Sequence, residues 1–457
     1  MWKPKLAAAE KGPLYRLIVE ALAEDIASGR LAVGARLPPH RDLADELSIA
    51  RGTVARAYRD AERLGFIRGE VGRGTRVIAP DAGDRPYASL LEAPTVLTDF
   101  STNVPLAGID PDPRAALQEL ALRPDRSALL RYLPPSGLQR HRIAGVQWLA
   151  RMGVEATAEQ TLPCAGAQHA LFITLQHLFT LQHLSSRSRV VYVDELSYPG
   201  IHGIAELLRL QLIPIGADAE GMSPQKLVSA CQKHGPGALY LMPTIHNPTG
   251  VVMPDARRLS LCEVARAHQL FIIEDAANRM LLAKAPAPFW QHAPERTFLI
   301  ASVSKIVGAG LRVAFLVAPG EHMQALVRQV WGTQWMVSPL GLEIVAMWLE
   351  DGTVDVTLKR KRKEAARRQA VVQKVFGSRS LRAHPNALHV WVELPKPWRS
   401  ERLAEASARQ GIVVTPSSAF WTGKSPPPAA IRISLGGVEK LRELELGLTK
   451  LANIVFR

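Results

Sequence analysis

The sequence predicts a multidomain chain: an N-terminal winged helix–turn–helix head (α+β), then an α/β body with a mainly parallel sheet. Three observations carry this. Residues 10–79 hold three short helical periods, then two strand-like runs around a glycine-rich turn. Residues 80–98 lose all period and read as a linker. Over residues 99–457, apolar runs of strand length alternate with amphipathic helical patterns.

In the head, Leu14, Leu17, Ile18, Ala21, Leu22 and Ile26 recur at helical spacing, and Gly29 follows as a stop. Leu37-Pro38-Pro39 breaks the chain. Arg41 to Leu47 reads as a second helix, with Leu43, Ala44 and Leu47 inward. Ser48-Ile49-Ala50 is a turn. Arg51 to Leu64 is a third helix, with Val54, Ala57, Tyr58 and Ala61 on its apolar side and Gly65 at its end. Phe66–Gly69 and Thr75–Ile78 read as strands joined by Glu70-Val71-Gly72-Arg73-Gly74.

A recognition helix sets its N-terminal residues at base edges in the major groove. Here those are Arg51, Gly52 and Thr53, with Arg56 further along. Arginine pairs bidentately with guanine, and threonine reaches a phosphate or a thymine methyl. Arg73, between two glycines, can reach a minor groove or phosphates. The alternative is a three-helix module used for protein contact. The stretch from Leu14 to Val77 resembles the DNA-binding domain of the GntR family of bacterial regulators. That resemblance implies double-stranded DNA as a partner. It implies Arg41, after the Leu-Pro-Pro turn, with Arg51 and Thr53, as DNA contacts. Gly72 and Gly74 match the family's wing glycines.

Charge is consistent with a polyanion partner without being specific for one: the net charge is +14 and the pI about 9.9. From Arg41 to Arg76 there are eight arginines and no lysine. A second basic run, Lys359 to Arg368, is expected to be the solvated face of a long helix rather than a DNA contact. Cys164, Cys231 and Cys262 have neither metal-ligand nor paired spacing, which suits a reducing compartment. No apolar h-region follows Met1-Trp2-Lys3-Pro4-Lys5, and no run is long enough to cross a bilayer. The expectation is a cytoplasmic protein with no membrane partner and no metal site.

In the body, Arg189–Val193, Ala238–Met242, Leu270–Glu274 and Thr297–Ala301 read as buried strands, with helical patterns such as Ala256–Ala267 between them. Ligands of such sheets bind beyond the carboxyl ends of the strands, and the chemistry-bearing motifs fall there. Lys305 lies in Ser302-Val303-Ser304-Lys305-Ile306-Val307-Gly308-Ala309-Gly310-Leu311-Arg312. Desolvation at a strand end disfavours the ammonium and leaves a nucleophilic amine, as a Schiff base with a carbonyl cofactor requires. Serine hydroxyls and Arg312 suit a phosphate dianion; an ordinary surface loop is the alternative.

Other motifs are weaker alone. Leu162-Pro163-Cys164-Ala165-Gly166-Ala167-Gln168 precedes a helix whose first N–H groups can cradle a phosphate. His246-Asn247-Pro248-Thr249-Gly250 offers an amide in a fixed turn, or is simply a turn. Glu274-Asp275 puts carboxylates at a strand end, where burial asks for a cation: a pyridinium nitrogen or a structural ion pair. Tyr198 can stack on an aromatic ring or serve the core. Arg432, in Ile431-Arg432-Ile433-Ser434, asks for an anion such as a substrate carboxylate.

Together, and in this order, these residues resemble the fold type I (class I and II) aminotransferases over residues 99–457. The resemblance implies an α/β fold with a small C-terminal α+β subdomain, and pyridoxal 5′-phosphate (PLP) as cofactor. It implies Lys305 as the Schiff-base lysine. Asp275 would pair with the pyridine nitrogen and Asn247 with the ring hydroxyl. Ser302, Arg312 and the backbone at Ala167 and Gln168 would hold the phosphate. Tyr198 would stack on the ring, and Arg432 would bind a carboxylate. Tyr132 matches a tyrosine that reaches the phosphate across a homodimer interface. Asn278 stands where relatives carry a tyrosine that bonds the ring hydroxyl, and Ala309 where they often carry proline. A GntR-type head on such a body resembles the MocR regulators. The implied function is a transcriptional regulator that senses a small amine or amino acid through an aldimine at Lys305. The alternatives are a working aminotransferase with a DNA-binding head, and a sensor of PLP itself.

Overall fold

A computed structural model describes residues 2–4, 13–27, 30–32, 34–63, 66–70, 74–77, 98–106, 108–180, 189–377 and 381–456. The chain divides into two compact units, residues 1–97 and 98–457.

In the first unit, helix α1 (Leu14–Ala27), α2 (His40–Leu47) and α3 (Arg51–Arg63) are followed by a hairpin of β1 (Ile67–Glu70) and β2 (Gly74–Val77). The apolar stripes named above make the core: Ile18, Leu22, Leu43, Val54, Ala57, Ala61, Ile67 and Val77 are buried. Ser48 turns α2 into α3 in the left-handed region, φ 52°. The hairpin register pairs Ile67 with Val77 and Glu70 with Gly74, so the strands sit one residue away from their expected limits.

The second unit is built on a seven-stranded sheet. Its strands are β3 (Thr161–Cys164), β4 (Val190–Asp194), β5 (Gln211–Ile215), β6 (Ala238–Leu241), β7 (Phe271–Asp275), β8 (Thr297–Ser302) and β9 (Ala314–Val317). Their spatial order is β3-β9-β8-β7-β6-β4-β5. β9 runs antiparallel to both neighbours, and the other pairings are parallel. Helices cover both faces, which is why these strands read as continuous apolar runs; α4 (Ala167–Thr180) lies against one face and α5 (Asp255–Ala267) against the other.

A smaller antiparallel sheet follows: β10 (Leu381–Arg382), β11 (His389–Glu393), β12 (Thr415–Pro416) and β13 (Ala430–Ser434), in the order β10-β11-β13-β12. Helices α6 (Thr353–Phe376) and α7 (Leu441–Phe456) share a core with it through Val372, Phe376, Val390, Ile433, Leu444 and Leu451.

The basic run on α6 corrects an expectation. Lys359, Arg360, Lys363 and Arg367 are exposed, but Lys361 and Arg368 are fully buried. Lys361 pairs with Asp110 and donates to the Lys305 carbonyl at 3.2 Å. Arg368 donates to the carbonyls of Leu435, Val438 and Glu439. A charged side chain goes inside when its donors find fixed acceptors there. Among the described residues no helix is long and apolar enough to cross a membrane.

Candidate functional site

Strand β8 delivers the lysine. All six of its residues are buried, and it runs one residue past its expected end, to Ser302. The turn beyond is held by Ser302 Oγ, which accepts the Ser304 N–H at 3.2 Å, and by buried Val303, Ile306 and Val307. Lys305 Nζ donates to the Asn103 carbonyl. Burial pulls this amine down to about 7; Arg432 and Lys361 push the same way, and Asp275 opposes them. A lysine amine lowered in this way is more often neutral near pH 7 than an ordinary one, and the neutral form is the one that can attack a carbonyl.

Asp275 closes β7 and is buried. Its Oδ2 accepts the Tyr240 hydroxyl at 3.1 Å and its Oδ1 the Ala277 N–H at 3.0 Å. Burial raises its pKa; the two donors and Lys305 lower it. The neighbouring Glu274 is different: it is met by Arg258 at 3.6 Å and by the Phe289 N–H at 2.8 Å.

Asn247, beyond β6, is buried and accepts Arg432 Nη1 at 3.0 Å through Oδ1. Arg432 on β13 also donates to the Ser101 carbonyl and to Thr415 Oγ1 at 3.2 Å, and lies 4.8 Å from the centre of the Phe420 ring. Its Nε is buried without a hydrogen-bond partner. Burial lowers its pKa to about 10.

Beyond β3 the chain forms a cradle. Gly166 takes φ +85°, a left-handed turn that glycine makes without strain. A Cβ there would lie 2.6 Å from Arg312 Nη2, so the guanidinium covers the glycine. Helix α4 starts at Ala167, and its first bonded donor is the Ala170 N–H, to the Gly166 carbonyl. The Ala167 and Gln168 N–H groups are thus left at the helix N-terminus, where anions are favoured. The Gln168 side chain is turned away and donates to the Gly200 carbonyl at 3.1 Å. The Tyr198 ring, partly buried, crowds the face of Gly200.

Lys305, Asp275, Asn247, Ser302, Arg312, Tyr198 and the Ala167–Gln168 backbone lie at strand ends of the large sheet or in the loops beyond them, and Arg432 joins them from the middle of β13. Two other expected residues stand differently. Asn278 is buried, and its Nδ2 donates to the Ile245 carbonyl at 2.8 Å, so it braces the loop before Asn247. Tyr132 is 80% exposed and packs its ring 5.1 Å from that of Trp335.

Sequence reasoning missed Tyr240, Asn103 and Lys361. Tyr240 had a signal: a hydroxyl in a buried apolar strand must find a partner. Asn103 acts through its backbone carbonyl and Lys361 through partners distant in sequence, so neither carried one.

In the first unit, Arg41 on α2 and Arg51 at the start of α3 are exposed, and Thr53 is half-buried. Arg51 comes no closer than 3.9 Å to Asp45. Arg56 is tied to α1 instead: its guanidinium lies 3.9 Å from the centre of the Tyr15 ring and donates to the Tyr15 hydroxyl at 3.2 Å. Arg73 lies outside the described residues.

Comparison with known proteins agrees with this division. Residues 14–77 match the family model "Bacterial regulatory proteins, gntR family", and residues 95–445 match "Aminotransferase class I and II". The uncharacterized HTH-type transcriptional regulator YdeF of Bacillus subtilis is 30% identical over 99% of this chain and 96% of its own. The HTH-type pyridoxine biosynthesis transcriptional regulator PdxR of Corynebacterium glutamicum is 26% identical over 89% of this chain and 88% of its own. Among solved structures, the α-aminoadipate aminotransferase LysN of Thermus thermophilus, complexed with N-(5′-phosphopyridoxyl)-L-leucine, superposes with a TM-score of 0.70. It is 25% identical and covers 81% of this chain and 96% of its own.

Proposed function

The chain belongs to the MocR type of helix–turn–helix transcriptional regulators, a GntR-family domain joined to an aminotransferase class I and II domain, and we propose that PLP and an amino-group effector set its binding to DNA. One observation carries this reading. A single chain joins a head with exposed Arg41 and Arg51 to a body in which Lys305, its amine pulled down to about 7, shares a site with Asp275 and Arg432.

The residues present fit the cofactor. Asp275 is a buried carboxylate met by two neutral donors, and a protonated ring nitrogen is the charge it lacks. Gly166, the first N–H groups of α4, Ser302 and Arg312 form a donor set suited to a phosphate. Asn247 has an amide nitrogen to give the ring hydroxyl, and Tyr198 a ring to stack. When bound, the cofactor supplies an electrophilic carbonyl to which amines add. Lys305 is the amine that holds it, and Arg432, with a buried and unsatisfied Nε, is the group that receives an effector carboxylate.

Regulation requires that the effector contact two states of the protein differently. Displacement of the Lys305 side chain frees the Asn103 carbonyl it now engages, and a carboxylate at Arg432 competes with Ser101, Thr415 and Asn247. A second copy of the chain is the proposed cover for the exposed aromatic group of Tyr132, Trp331 and Trp335, which suits a homodimer.

The test is a visible absorbance spectrum of the chain with PLP beside Lys305→Ala, followed by DNA footprinting with PLP and with a panel of amines. A band lost in the variant, and a footprint that responds to an amine only when PLP is present, is the expected result. No band, or a footprint indifferent to both, rejects the proposal. A footprint that responds to PLP alone would instead make PLP the effector, a reading supported by the likeness to PdxR. A working aminotransferase is the weaker reading, because Asn278 spends an amide donor on Ile245 at the position where the aminotransferase resemblance implies a tyrosine. Steady turnover of an amino acid with a keto acid would restore it.

A further inference from the structure

The second unit contains another cavity, of about 540 Å³, the size of a small-molecule site. Its walls come from both parts of the body: Asp194 at the end of β4, with Glu195 and His246 from loops beyond strands of the large sheet, and Trp391 and Trp421 from the small subdomain. It is not the pocket of Arg432. Phe420 stands between, its ring 4.8 Å from the Arg432 guanidinium and 6.1 Å, edge to face, from the ring of Trp391.

The polar groups of this cavity ask for a cation. Asp194 is 7% exposed and accepts no hydrogen bond from any described residue; its one ionic neighbour is His246 Nε2, at 3.5 Å. The other nitrogen of His246 is engaged with Thr249 Oγ1 at 2.8 Å. Glu195 has no ion pair among the described residues. Two further carboxylates are already compensated, Asp218 by Arg257 at 2.9 Å and Glu393 by Arg382 at 3.2 Å. A surplus of negative charge therefore lines the cavity, with buried Asp194 at its wall, on a chain of net charge +14. The space is far larger than a bare metal ion needs, and two indole rings line it, surfaces that attract organic cations.

We propose that this cavity binds a small organic cation, an ammonium or guanidinium on an apolar body, as a second ligand site of the protein. Asp194 and Glu195 meet the charge; Trp391 and Trp421 meet the body. The place suits a regulatory ligand. Asp194–Leu196 leads directly into Tyr198, His246 precedes Asn247, and Leu196 pairs with Trp421 across the two parts of the body. An occupant touches both sides of that joint and the roots of two residues of the Lys305 site.

Benzyltrimethylammonium is the probe, because it carries a cation on an aromatic body and, having no N–H, cannot condense with a carbonyl. Calorimetric titration of the full chain, with and without PLP, is expected to give saturable binding that Lys305→Ala leaves unchanged. Glu195→Gln and Trp421→Leu should each weaken it roughly tenfold, and toluenesulfonate, of similar body and opposite charge, should not bind. Thermal melts check that each variant is folded, with Asp194→Asn in reserve for one that is not. Absence of saturable binding, binding unaffected by the folded cavity variants, or binding lost with Lys305→Ala overturns the proposal. The visible PLP band is read separately, so failure of this site and failure of the cofactor reading are told apart.

Discussion

The Tyr240 hydroxyl, on β6, donates to Asp275 Oδ2, on β7, at 3.1 Å. The two strands pair in parallel, and the bond joins side chains at their carboxyl ends. It is one of the few interactions favouring the charged form of a carboxylate that burial pushes toward neutrality.

Tyr240→Phe removes that donor and raises the Asp275 pKa further. A more readily protonated Asp275 holds a positive ring nitrogen less well. The hydrogen bond is worth about 1 kcal/mol, so PLP affinity should fall roughly fivefold. Spectral titration of both proteins measures this, and equal affinities would remove Asp275 from the ring nitrogen.

The Lys305 amine titrates at about 7, below an ordinary lysine. Below that pH it is an ammonium and cannot attack; above it, the free amine can. The rate of PLP attachment should rise about tenfold per pH unit on the acid side and level off above the midpoint. Lys361 is one of the charges that depress the amine, so Lys361→Met should move the midpoint upward. Stopped-flow absorbance across pH follows both.

Gly166→Ala should have two effects. The left-handed backbone disfavours alanine, a cost of about 1–2 kcal/mol in the unfolding free energy. The new methyl also displaces the Arg312 guanidinium from the cradle. Affinity for PLP should fall more than affinity for pyridoxal, which lacks the phosphate. An unchanged ratio of the two would place the phosphate elsewhere.

In the head, Arg41→Ala should weaken DNA binding evenly across sequences and reduce the salt slope by about 0.9. Arg51→Ala should cost about 1–3 kcal/mol on the preferred site and relax its specificity. Arg56→Ala should act mainly on the stability of the head, because Arg56 is held by Tyr15. Binding isotherms at several salt concentrations, with thermal melts of the same variants, separate the three.

The sequence by itself determined the three helices and the hairpin of the head, four central strands of the large sheet and the order of the motifs along the chain. The reason is local: apolar spacing fixes which face is buried, and glycine or proline at a turn fixes where a strand or helix stops. The Leu37-Pro38-Pro39 break and the apolar faces of α1 and α3 were legible on those grounds. Only the tertiary structure decided which charged groups go inside and whom they meet. Lys361 lies 251 residues from Asp110, and Arg432 lies 185 from Asn247. Arg56 is turned onto a tyrosine of another helix, and Asn278 onto the loop before Asn247. A charged or polar side chain in a low-dielectric interior is set by where its partners stand in space, and local periodicity carries no record of that distance.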